Sequence, residues 1–505
     1  MLSLRLVLLA TFLVVPPLFA VEPSPFPPNV DAYLAKALRD WEIPGMAVAV
    51  VHHGRISAQG YGVRELGRPE PVDVHTVFDS ASLTKSFTST LVATLVDEGK
   101  MKWDEPVRSY LPALALGDPY VTEHATVRDF LSHRTGLAAT NSLWKLTALS
   151  RSEVMSRLRC LRQAAPFRSA LVYSNLGYMV VGEAAAAAGG ASWEELVRRR
   201  LLEPLKLSDT VASYEEGMTR PNHASSHSLI GGAQRPLHRE TQREPIAAAG
   251  SVLSSAADLA RWAALHLGGG ELEGKSFGAE SLAETHSPQV VIATTPEMRS
   301  ARQVEFFAAY GMGWNVMDYR GHSMLWHSGS GDGQMAYMAL LPKDDLAVVV
   351  LVNTWAADHV HGALASWLLD VYLGLEPRDS SGEALARHRS ELAKGNEVQA
   401  LLASAAAAVD PPRPLASYAA TYESCPWGPI HVRVENGGLV LQMDKGEVAD
   451  LRYHHGDSFV AVWRDPLYRE DRTTLVELSA ADGKRKLRMS VFRDDIEAVA
   501  PLDGR

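Results

Sequence analysis

The sequence predicts an α/β (α+β) protein in which helices flank an antiparallel sheet, a helical subdomain follows, and a small all-β barrel ends the chain. Three observations support this prediction. Helical and strand-like patterns alternate near both ends of residues 30–376, the middle from about Thr126 to Gly270 is mostly helical in pattern, and residues 415–505 form short alternating runs.

The first elements are a helix and a hairpin. In "VDAYLAKALRDW" the apolar residues Tyr33, Leu34, Leu38 and Trp41 recur at helical spacing. "GMAVAVVHHGRISAQGYGV" follows as strand, turn at His53-Gly54, and strand. A helix before a hairpin indicates a sheet covered by helices.

The middle and the end of this domain continue the pattern. "EAAAAAGG" and "WEELVRRRLLEPL" predict helices. "SMLWHSGSGDGQMAYMALLPKDDLAVVVLVNT" predicts consecutive antiparallel strands that close the same sheet, and "GALASWLLDVYLGL" predicts a helix lying on it.

Composition changes at residue 377, which suggests domain boundaries. Residues 377–414 form a charged helical and proline-rich linker. Residues 415–505 alternate around the turn Asn436-Gly437 and predict an all-β domain.

The N-terminus predicts export. Residues 1–20 combine Arg5, an apolar run from Leu6 to Val15 and a plausible cleavage site at Ala20, which is typical of a signal peptide. We therefore expect a periplasmic or secreted protein with no stable membrane span after cleavage, an uncleaved anchor being the alternative.

The totals narrow the function further. With 46% hydrophobic and 21% charged residues, the 505-residue chain is typical of globular proteins, and neither its net charge of −10 nor any basic block predicts nucleic-acid binding. Its two cysteines, Cys160 and Cys425, exclude a disulfide framework; we expect two separate buried thiols in different domains, a bridge after export being the alternative.

The stretch "FDSASLTKSFTSTLVATLVDEG" carries the first chemical motif. Ser82 and Lys85 are three residues apart where an apolar helical pattern begins, so the amine can reach the hydroxyl, and free backbone N–H groups lie nearby. Spacing alone is weak evidence, because Ser142 and Lys145 in "NSLWK" repeat it; we interpret that copy as chance.

Two further motifs strengthen the first. Tyr173 and Asn175 form Tyr-x-Asn in "LVYSNLGYMV", and His327 and Gly329 form His-x-Gly in "WHSGSGDGQ". Other His-x-Gly copies lie at a hairpin turn and in the C-terminal domain, so only the copy at His327 has the right order and a strand context.

With these motifs, the chain resembles the serine β-lactamase and penicillin-binding protein superfamily, closest to the class C-like branch that includes esterases and D-amino-acid peptidases. "TVFDSASLTK", "ATVRDFLSHRTGL", "YSNLGYMVVGEA", "GSVLSSAADLARW", "YGMGW" and "WHSGSGDG" occur in the family's order. The resemblance implies a β-lactamase-like fold, and the tail resembles the lipocalin-like C-terminal domain found behind some such hydrolases.

The resemblance also implies roles. Ser82 would be the nucleophile, Lys85 its proton acceptor or electrostatic partner, and Tyr173 the group that passes a proton to the leaving group. Asn175 would hold the substrate or the lysine. A lysine acts as base only if burial or a nearby cation lowers its pKa, and a tyrosine only if positive charge favours phenolate, so the general base stays open between Lys85 and Tyr173.

The third motif would bind the substrate. His327 and Gly329 stand where β-lactamases of this branch carry a Lys-x-Gly, and the oxyanion hole would use the backbone N–H groups of Ser82 and Ser330. Histidine has an ordinary pKa of about 6.5, so we expect a weaker, pH-dependent contact here, which favours esters or small peptides over β-lactams.

Other motifs predict no further chemistry. His359 and His361 lack a carboxylate pattern, so no metal is expected, and no cofactor motif is present. "GSGDG" predicts a turn rather than a dinucleotide site, no Gly-x-Ser-x-Gly elbow occurs, and His133 in "SHRTGL" predicts a structural hydrogen bond.

Together these observations predict an exported serine hydrolase that forms an acyl-enzyme on Ser82 and cleaves a small ester, amide or peptide. The alternative is a penicillin-binding-like sensor that is acylated without turnover. A third interpretation makes the C-terminal domain the functional part, as a ligand-binding surface or a contact in a homo-oligomer. Specificity depends on loops, so the substrate stays open.

Overall fold

The computed structural model describes residues 26–237, 243–296, 299, 304, 306–355, 357, 359–393, 397–407, 411–444, 446–471, 473–481 and 484–501. The predicted signal peptide, residues 1–20, lies outside the described residues.

An eight-stranded antiparallel sheet is the centre of the N-terminal domain, in the order β2-β1-β14-β13-β12-β11-β10-β9. Three pairs of short strands lie outside this sheet: β3-β6, β4-β5 and β7-β8. The strands are β1 (Gly45–His52), β2 (Arg55–Gly62), β3 (Phe78–Asp79), β4 (Ser226–Ile230), β5 (Ala233–Leu237), β6 (Leu253–Ser254), β7 (Glu271–Leu272), β8 (Lys275–Ser276), β9 (Val290–Val291), β10 (Ala308–Tyr310), β11 (Asn315–Tyr319), β12 (His322–Ser330), β13 (Met335–Leu341) and β14 (Leu346–Val352).

Helices surround this sheet and fill the middle of the chain. The described α-helices are α1 (Pro28–Asp40), α2 (Thr84–Asp97), α3 (Pro119–His124), α4 (Val127–Leu131), α5 (Ser142–Lys145), α6 (Arg151–Arg157), α7 (Asn175–Gly189), α8 (Trp193–Val197), α9 (Glu203–Leu205), α10 (Tyr214–Met218), α11 (Ala247–Gly250), α12 (Ala256–Leu267), α13 (Ala279–Thr285), α14 (Val360–Tyr372), α15 (Ser380–Ala393), α16 (Glu397–Ala407) and α17 (Pro466–Asp471). Among the described residues, no helix has both the length and the apolar character needed to span a bilayer.

Both faces of the sheet are buried, as strand β1 shows. Its alternating residues belong to two separate cores: Val48 lies in the core that includes residues of α1 and α14, whereas Ala49 lies in the core that includes residues of α2 and α12. Successive side chains of a strand point to opposite faces, so a strand covered on both sides is apolar throughout. The predicted architecture of an antiparallel sheet flanked by helices is confirmed.

The middle of the chain is mostly helical, as predicted, but it also contains the short strand β6 and one hairpin. A hairpin, β4-β5, interrupts the helices, and its turn is Gly231-Gly232 with φ of +59° and +77°. A Gly-Gly pair between two short runs is a hairpin signal, because both turn positions need positive φ. The sequence contains this Gly-Gly signal, but the helical patterns before it led to a helical prediction for the whole stretch.

The C-terminal domain is a closed barrel of eight strands, paired in chain order, and the predicted all-β barrel is confirmed. The turn at Asn436-Gly437 has φ of +50° and +80°, as the sequence predicts. The strands are β15 (Ala420–Ser424), β16 (Gly428–Glu435), β17 (Gly438–Gln442), β18 (Val448–His455), β19 (Ser458–Trp463), β20 (Thr474–Ala481), β21 (Lys484–Val491) and β22 (Asp494–Pro501). Helix α16 packs on the outside of the barrel through Leu401, Leu402 and Ala405.

The barrel is joined to the helical subdomain by a disulfide, which corrects the expectation of two separate thiols. Cys160 and Cys425 are bonded, with Cα atoms 5.7 Å apart. Arg157 adds an ion pair to Asp444, and the Trp427 indole N–H donates to the Ser142 hydroxyl at 2.9 Å. Two cysteines 265 residues apart give no sequence signal of pairing, since their proximity depends on how the two domains dock.

Candidate active site

The nucleophile candidate Ser82 lies in a short 3-10 turn, Ala81–Leu83, that leads directly into α2. In the first turn of a helix the backbone N–H groups have no intrahelical partner, so they can face a ligand. Helix α2 is buried along most of its length, including Phe87 and Leu91. The hydroxyl is half-buried and is held on a rigid element.

Lys85 lies one turn further along the helix and is fully buried. Its Nζ is 3.0 Å from Ser82 Oγ, 2.8 Å from Asn175 Oδ1 and 2.8 Å from the Ala249 carbonyl oxygen. No carboxylate is among these partners, and burial lowers the pKa of the ammonium well below its ordinary value. The geometry therefore favours a neutral amine beside the hydroxyl.

Tyr173 approaches the same hydroxyl from the start of α7. Its phenol O–H donates to Ser82 Oγ at 2.9 Å, and its ring centroid is 4.8 Å from Lys85 Nζ. Burial raises the pKa of this phenol, and the hydrogen bond to Ser82 offsets only part of that rise. The tyrosine is therefore protonated at neutral pH, and it acts as a hydrogen donor to Ser82.

His327 lies on β12 and lines the same cavity. Its Nδ1 is 2.7 Å from the Ser328 carbonyl oxygen and its Nε2 is 3.0 Å from the Tyr310 hydroxyl. Since a carbonyl only accepts, Nδ1 carries the hydrogen and Nε2 accepts from Tyr310. Burial, with a smaller contribution from Lys85, lowers the pKa of this histidine to about 3.

This environment corrects the expected pH-dependent contact at His327. The imidazole is neutral over the whole physiological range, and both nitrogens are hydrogen bonded within the protein. A direct contact between His327 and a substrate stays a prediction.

The end of β12 supplies a free backbone N–H next to the nucleophile. Gly331 N–H donates to the Gln334 carbonyl at 2.9 Å, so by the alternation of an antiparallel ladder the N–H of Ser330 points away from β13. On the other side, β11 pairs with β12 only as far as Trp326. The N–H of Ser330 is thus unpaired by either described strand, and Ser330 and Ser82 line one cavity.

Close backbone approach fixes these two donors relative to each other. A Cβ placed on Gly329 would lie 2.1 Å from the Ser80 carbonyl oxygen, so only glycine allows β12 to reach the nucleophile turn. Ala81, just before the nucleophile, has φ of +43°, which is unfavourable for a residue with a Cβ. The glycine of the third motif therefore has a steric role.

A buried ion pair supports the strained turn, and the sequence analysis did not identify it. Asp79 accepts from the Ala81 N–H at 2.9 Å and pairs with Arg243, whose Nη2 is 2.7 Å from Asp79 Oδ2. Gln334 Oε1 accepts from the Asp79 N–H at 3.0 Å, which ties this turn to the β12-β13 hairpin. Asp79 could have been found as a turn residue before a helix start, whereas Arg243 lies in a stretch without a local signal.

His133, expected to make a structural hydrogen bond, accepts one from the Ser174 N–H at 3.2 Å. Its ring also packs 4.3 Å from the Tyr173 ring, centroid to centroid. Burial lowers the pKa of His133 well below its ordinary value, so this imidazole is neutral too.

The second Ser-x-x-Lys has a different arrangement from the first. Ser142 accepts from the barrel's Trp427, and Lys145 makes an ion pair with Asp332 at 3.0 Å. The motif is not a second nucleophile site, because its serine is buried in the contact with the barrel. Lys145 and Asp332 both line the cavity at Ser82, which the sequence alone did not indicate.

The cavity has a volume of about 770 Å³, and both domains line it. The barrel contributes residues 473–474 and 490–493. Among the residues that the structure describes, no group of three or more histidine, cysteine, aspartate or glutamate side chains is arranged to hold a metal ion. The groups present at Ser82 suit acyl transfer: a nucleophile, an amine, a phenol and two candidate oxyanion donors.

Comparison with protein families assigns most of the chain. The family described as "Beta-lactamase" matches residues 30–371, and the "Domain of unknown function (DUF3471)" matches residues 404–496. The hydrolase "Unguisins hydrolase ungD" of Aspergillus violaceofuscus is 27% identical over 475 residues, which cover 87% of this chain and 83% of that protein. "Penicillin-binding protein 4" of Amycolatopsis lactamdurans is 29% identical over 327 residues, which cover 63% of this chain and 83% of that protein.

Solved structures share the fold. The octameric penicillin-binding protein homologue from Pyrococcus abyssi has a TM-score of 0.61 at 19% identity and covers 94% of this chain and 99% of its own. A class C beta-lactamase has a TM-score of 0.55 at 21% identity and covers 72% of this chain and 95% of its own. Since the family match spans well over half of the residues, the chain belongs to the beta-lactamase family of serine hydrolases.

Proposed function

We propose that this protein is an exported hydrolase that cleaves a small ester, amide or peptide through an acyl-enzyme on Ser82. The observation that carries the proposal is the placement of Ser82 Oγ 3.0 Å from the buried Lys85 Nζ and 2.9 Å from the Tyr173 hydroxyl. A serine hydroxyl attacks a carbonyl only when a neighbour removes its proton, and both groups are within reach.

Lys85 is the base in this mechanism. A neutral lysine has two N–H bonds and one lone pair; Asn175 Oδ1 and the Ala249 carbonyl take the two N–H donors, and the lone pair is left for the Ser82 proton. As Ser82 attacks, its proton moves to Lys85 Nζ. Tyr173, whose raised pKa keeps it protonated, then passes its own proton to the leaving group and is reprotonated from Lys85.

The negative charge of the tetrahedral intermediate would lie between the backbone N–H groups of Ser82 and Ser330. In other serine enzymes, removal of one such donor lowers kcat by about 10²–10³-fold. In the second half-reaction a water molecule attacks the acyl carbonyl and its proton passes to Lys85 Nζ. Lys85 then gives that proton to Ser82 Oγ as the bond between Oγ and the acyl carbon breaks, which releases the acid.

The substrate class is supported by three features. A cavity of about 770 Å³ admits a small substrate. The neutral His327 replaces the permanent cation of a Lys-x-Gly motif, which favours esters and peptides over β-lactams. A relative 27% identical over most of the chain is named as a hydrolase of unguisins.

Export is proposed from the signal-peptide pattern in residues 1–20. The disulfide between Cys160 and Cys425 supports it, because disulfides persist in oxidising compartments. A periplasmic or secreted location follows. Homo-oligomer formation through the C-terminal domain stays a prediction, which light scattering of the full chain would measure.

The test is labelling with a serine-directed fluorophosphonate. Wild-type protein and a Ser142→Ala variant, which removes the serine of the second Ser-x-x-Lys, should both be labelled; Ser82→Ala should not. Equal labelling of the Ser82→Ala protein would end the proposal. Hydrolysis of acyl esters, D-aminoacyl amides and β-lactams then separates an enzyme from a sensor, since a burst of product without steady turnover indicates a protein that is acylated but not regenerated.

A further inference from the structure

The β21-β22 turn of the barrel, Phe492–Arg493, lies at the catalytic cavity. Both residues line the cavity together with Ser82. Val491 pairs with Asp494, so the two strands are joined by a hairpin loop of only two residues. A two-residue loop leaves its backbone little conformational freedom, which restricts where its side chains can lie.

The conformation of this turn is unusual for its residues. Phe492 and Arg493 have φ of +54° and +65°, the signature of a turn that favours asparagine and glycine because bulky side chains are strained there. The same barrel contains the ordinary version at Asn436-Gly437, whose residues do not line the cavity. Strain retained at one turn and avoided at the other points to a function for the strained side chains.

Contacts within the barrel domain and with the helical subdomain hold the turn in place. The Phe492 ring meets the Tyr468 ring edge-on at 5.2 Å, and Lys145 Nζ lies 5.6 Å from the Phe492 centroid. Next to the turn, Asp494 Oδ2 accepts from the Ser142 N–H at 2.7 Å. The barrel is thus docked with this turn at the cavity wall.

The other cations of the cavity are compensated or neutral. Lys145 is paired with Asp332, and Arg243 with Asp79. Burial lowers the pKa of Lys85 well below its ordinary value and the pKa of His327 to about 3, which disfavours the charged form of both groups.

Arg493 differs from all of these. Its side chain is exposed, and no carboxylate among the described residues pairs with it. Arg493 thus brings to the cavity wall a guanidinium that has no carboxylate partner among the described residues, and its planar N–H pairs match the two oxygens of a carboxylate.

We propose that the Phe492–Arg493 turn is the specificity element of the active site and that Arg493 binds a carboxylate of the substrate. This rests on the proposed function, since it makes the substrate of Ser82 catalysis an anionic ester or amide. The barrel then has a defined role: it carries the charge that selects the substrate, while the hydrolase domain carries the chemistry.

The test compares matched esters that differ only in charge. The first pair is the para-nitrophenyl monoester of glutarate and its terminal amide, in which the charge difference lies on the acyl group. The second pair is meta-carboxyphenyl acetate and meta-carbamoylphenyl acetate, in which the charge difference lies on the leaving group. In one of the two pairs the wild type should prefer the carboxylate, by about 10-fold or more in kcat/KM, the size expected of a charge-assisted contact. Arg493→Gln should remove that preference by lowering kcat/KM for the charged ester about 10-fold more than for the neutral ester, and Arg493→Lys should keep part of the preference.

The matched control is Arg452→Gln, which neutralises an exposed arginine on β18, outside the cavity. This variant should keep the wild-type preference. If the wild type hydrolyses both members of each pair equally, or if Arg493→Gln slows neutral and charged esters alike, the proposal is wrong.

A binding measurement separates this proposal from failure of the chemistry. With Ser82→Ala protein, calorimetry should show tighter binding of N-acetyl-D-alanine than of its amide, and the Ser82→Ala/Arg493→Gln double variant should bind both alike. Equal binding by the single variant overturns the proposal even if no ester is turned over.

The strained backbone gives a second readout. Arg493→Gly should raise the Tm, because glycine adopts positive φ without strain, and it should abolish the charge preference. If Arg493 had only a structural role, its replacement by glycine would not raise the Tm and abolish the charge preference together. A lower Tm with an unchanged charge preference therefore contradicts the inference.

Discussion

Gly329→Ala tests whether the end of β12 must lie against the nucleophile turn. The new Cβ would be 2.1 Å from the Ser80 carbonyl oxygen and 3.3 Å from Ala81 Cβ. Non-bonded heavy atoms are in favourable contact at about 3.5 Å, so the strand and the turn must separate by more than about 1 Å. That shift moves the N–H of Ser330 relative to the N–H of Ser82.

The expected loss is about 100-fold in kcat, since a misplacement of about 1 Å or the loss of one oxyanion donor each costs a factor of that order. KM should change less, because the oxyanion forms only after substrate binds. Overpacking should also lower the free energy of unfolding by about 1–3 kcal/mol.

The assay is steady-state hydrolysis of an acyl ester, with Tm and circular dichroism measured on the same samples. Gly362→Ala is the matched control: it lies in α14, and its new Cβ would meet only Tyr337, at 3.5 Å. That variant should keep wild-type kcat and gain slightly in stability, because alanine favours a helix. A folded Gly329→Ala protein with wild-type kcat would refute the steric argument and the placement of Ser330 as an oxyanion donor.

Three other predictions follow from the geometry. Tyr173→Phe removes the hydrogen-bond donor to Ser82 but leaves Lys85 as the base. Turnover should therefore fall about 10²–10⁴-fold, while fluorophosphonate labelling continues at a reduced rate. If Tyr173→Phe instead loses as much labelling as Lys85→Met, the phenol is favoured as the base. Since burial lowers the pKa of Lys85, kcat/KM should rise with pH through that lowered value. Between the lowered pKa and the ordinary lysine pKa the unfolded chain binds a proton that the folded protein does not, so the contribution of Lys85 to stability should also rise with pH. A pH profile of kcat/KM and a pH series of urea unfolding measure the two effects. Cys425→Ser should lower the free energy of unfolding by about 2–5 kcal/mol, measured in urea under non-reducing conditions, and the same protein with dithiothreitol should lose nothing further.

The hydroxyl, the amine and the phenol of the candidate site could be predicted from the sequence because each is tied to a local pattern. Ser82 and Lys85 share one helix start, so their proximity follows from helix geometry alone. Tyr173 and Asn175 flank the start of α7, where a short motif is enough to orient two side chains. The order of the three motifs supplied the family and therefore the fold.

Other parts of the site had no local pattern. Arg243 reaches Asp79 across 164 residues, and the lowered pKa of His327 results from burial and from Lys85, which is distant in sequence. The prediction of two separate thiols was wrong for the same reason, because Cys160 and Cys425 come together only when the barrel docks on the helical subdomain.

The sequence by itself determined which elements form and which residues can do the chemistry, because periodicity, helix starts and turn residues act over a few neighbours. Only the tertiary structure decided the protonation states and the walls of the cavity. Desolvation of Lys85 and His327 is a property of the packed interior, and the presence of Phe492 and Arg493 in the wall of the Ser82 cavity depends on how the barrel docks on the N-terminal domain. Burial and domain docking depend on contacts between residues that are far apart in the chain, so no short stretch of residues determines them.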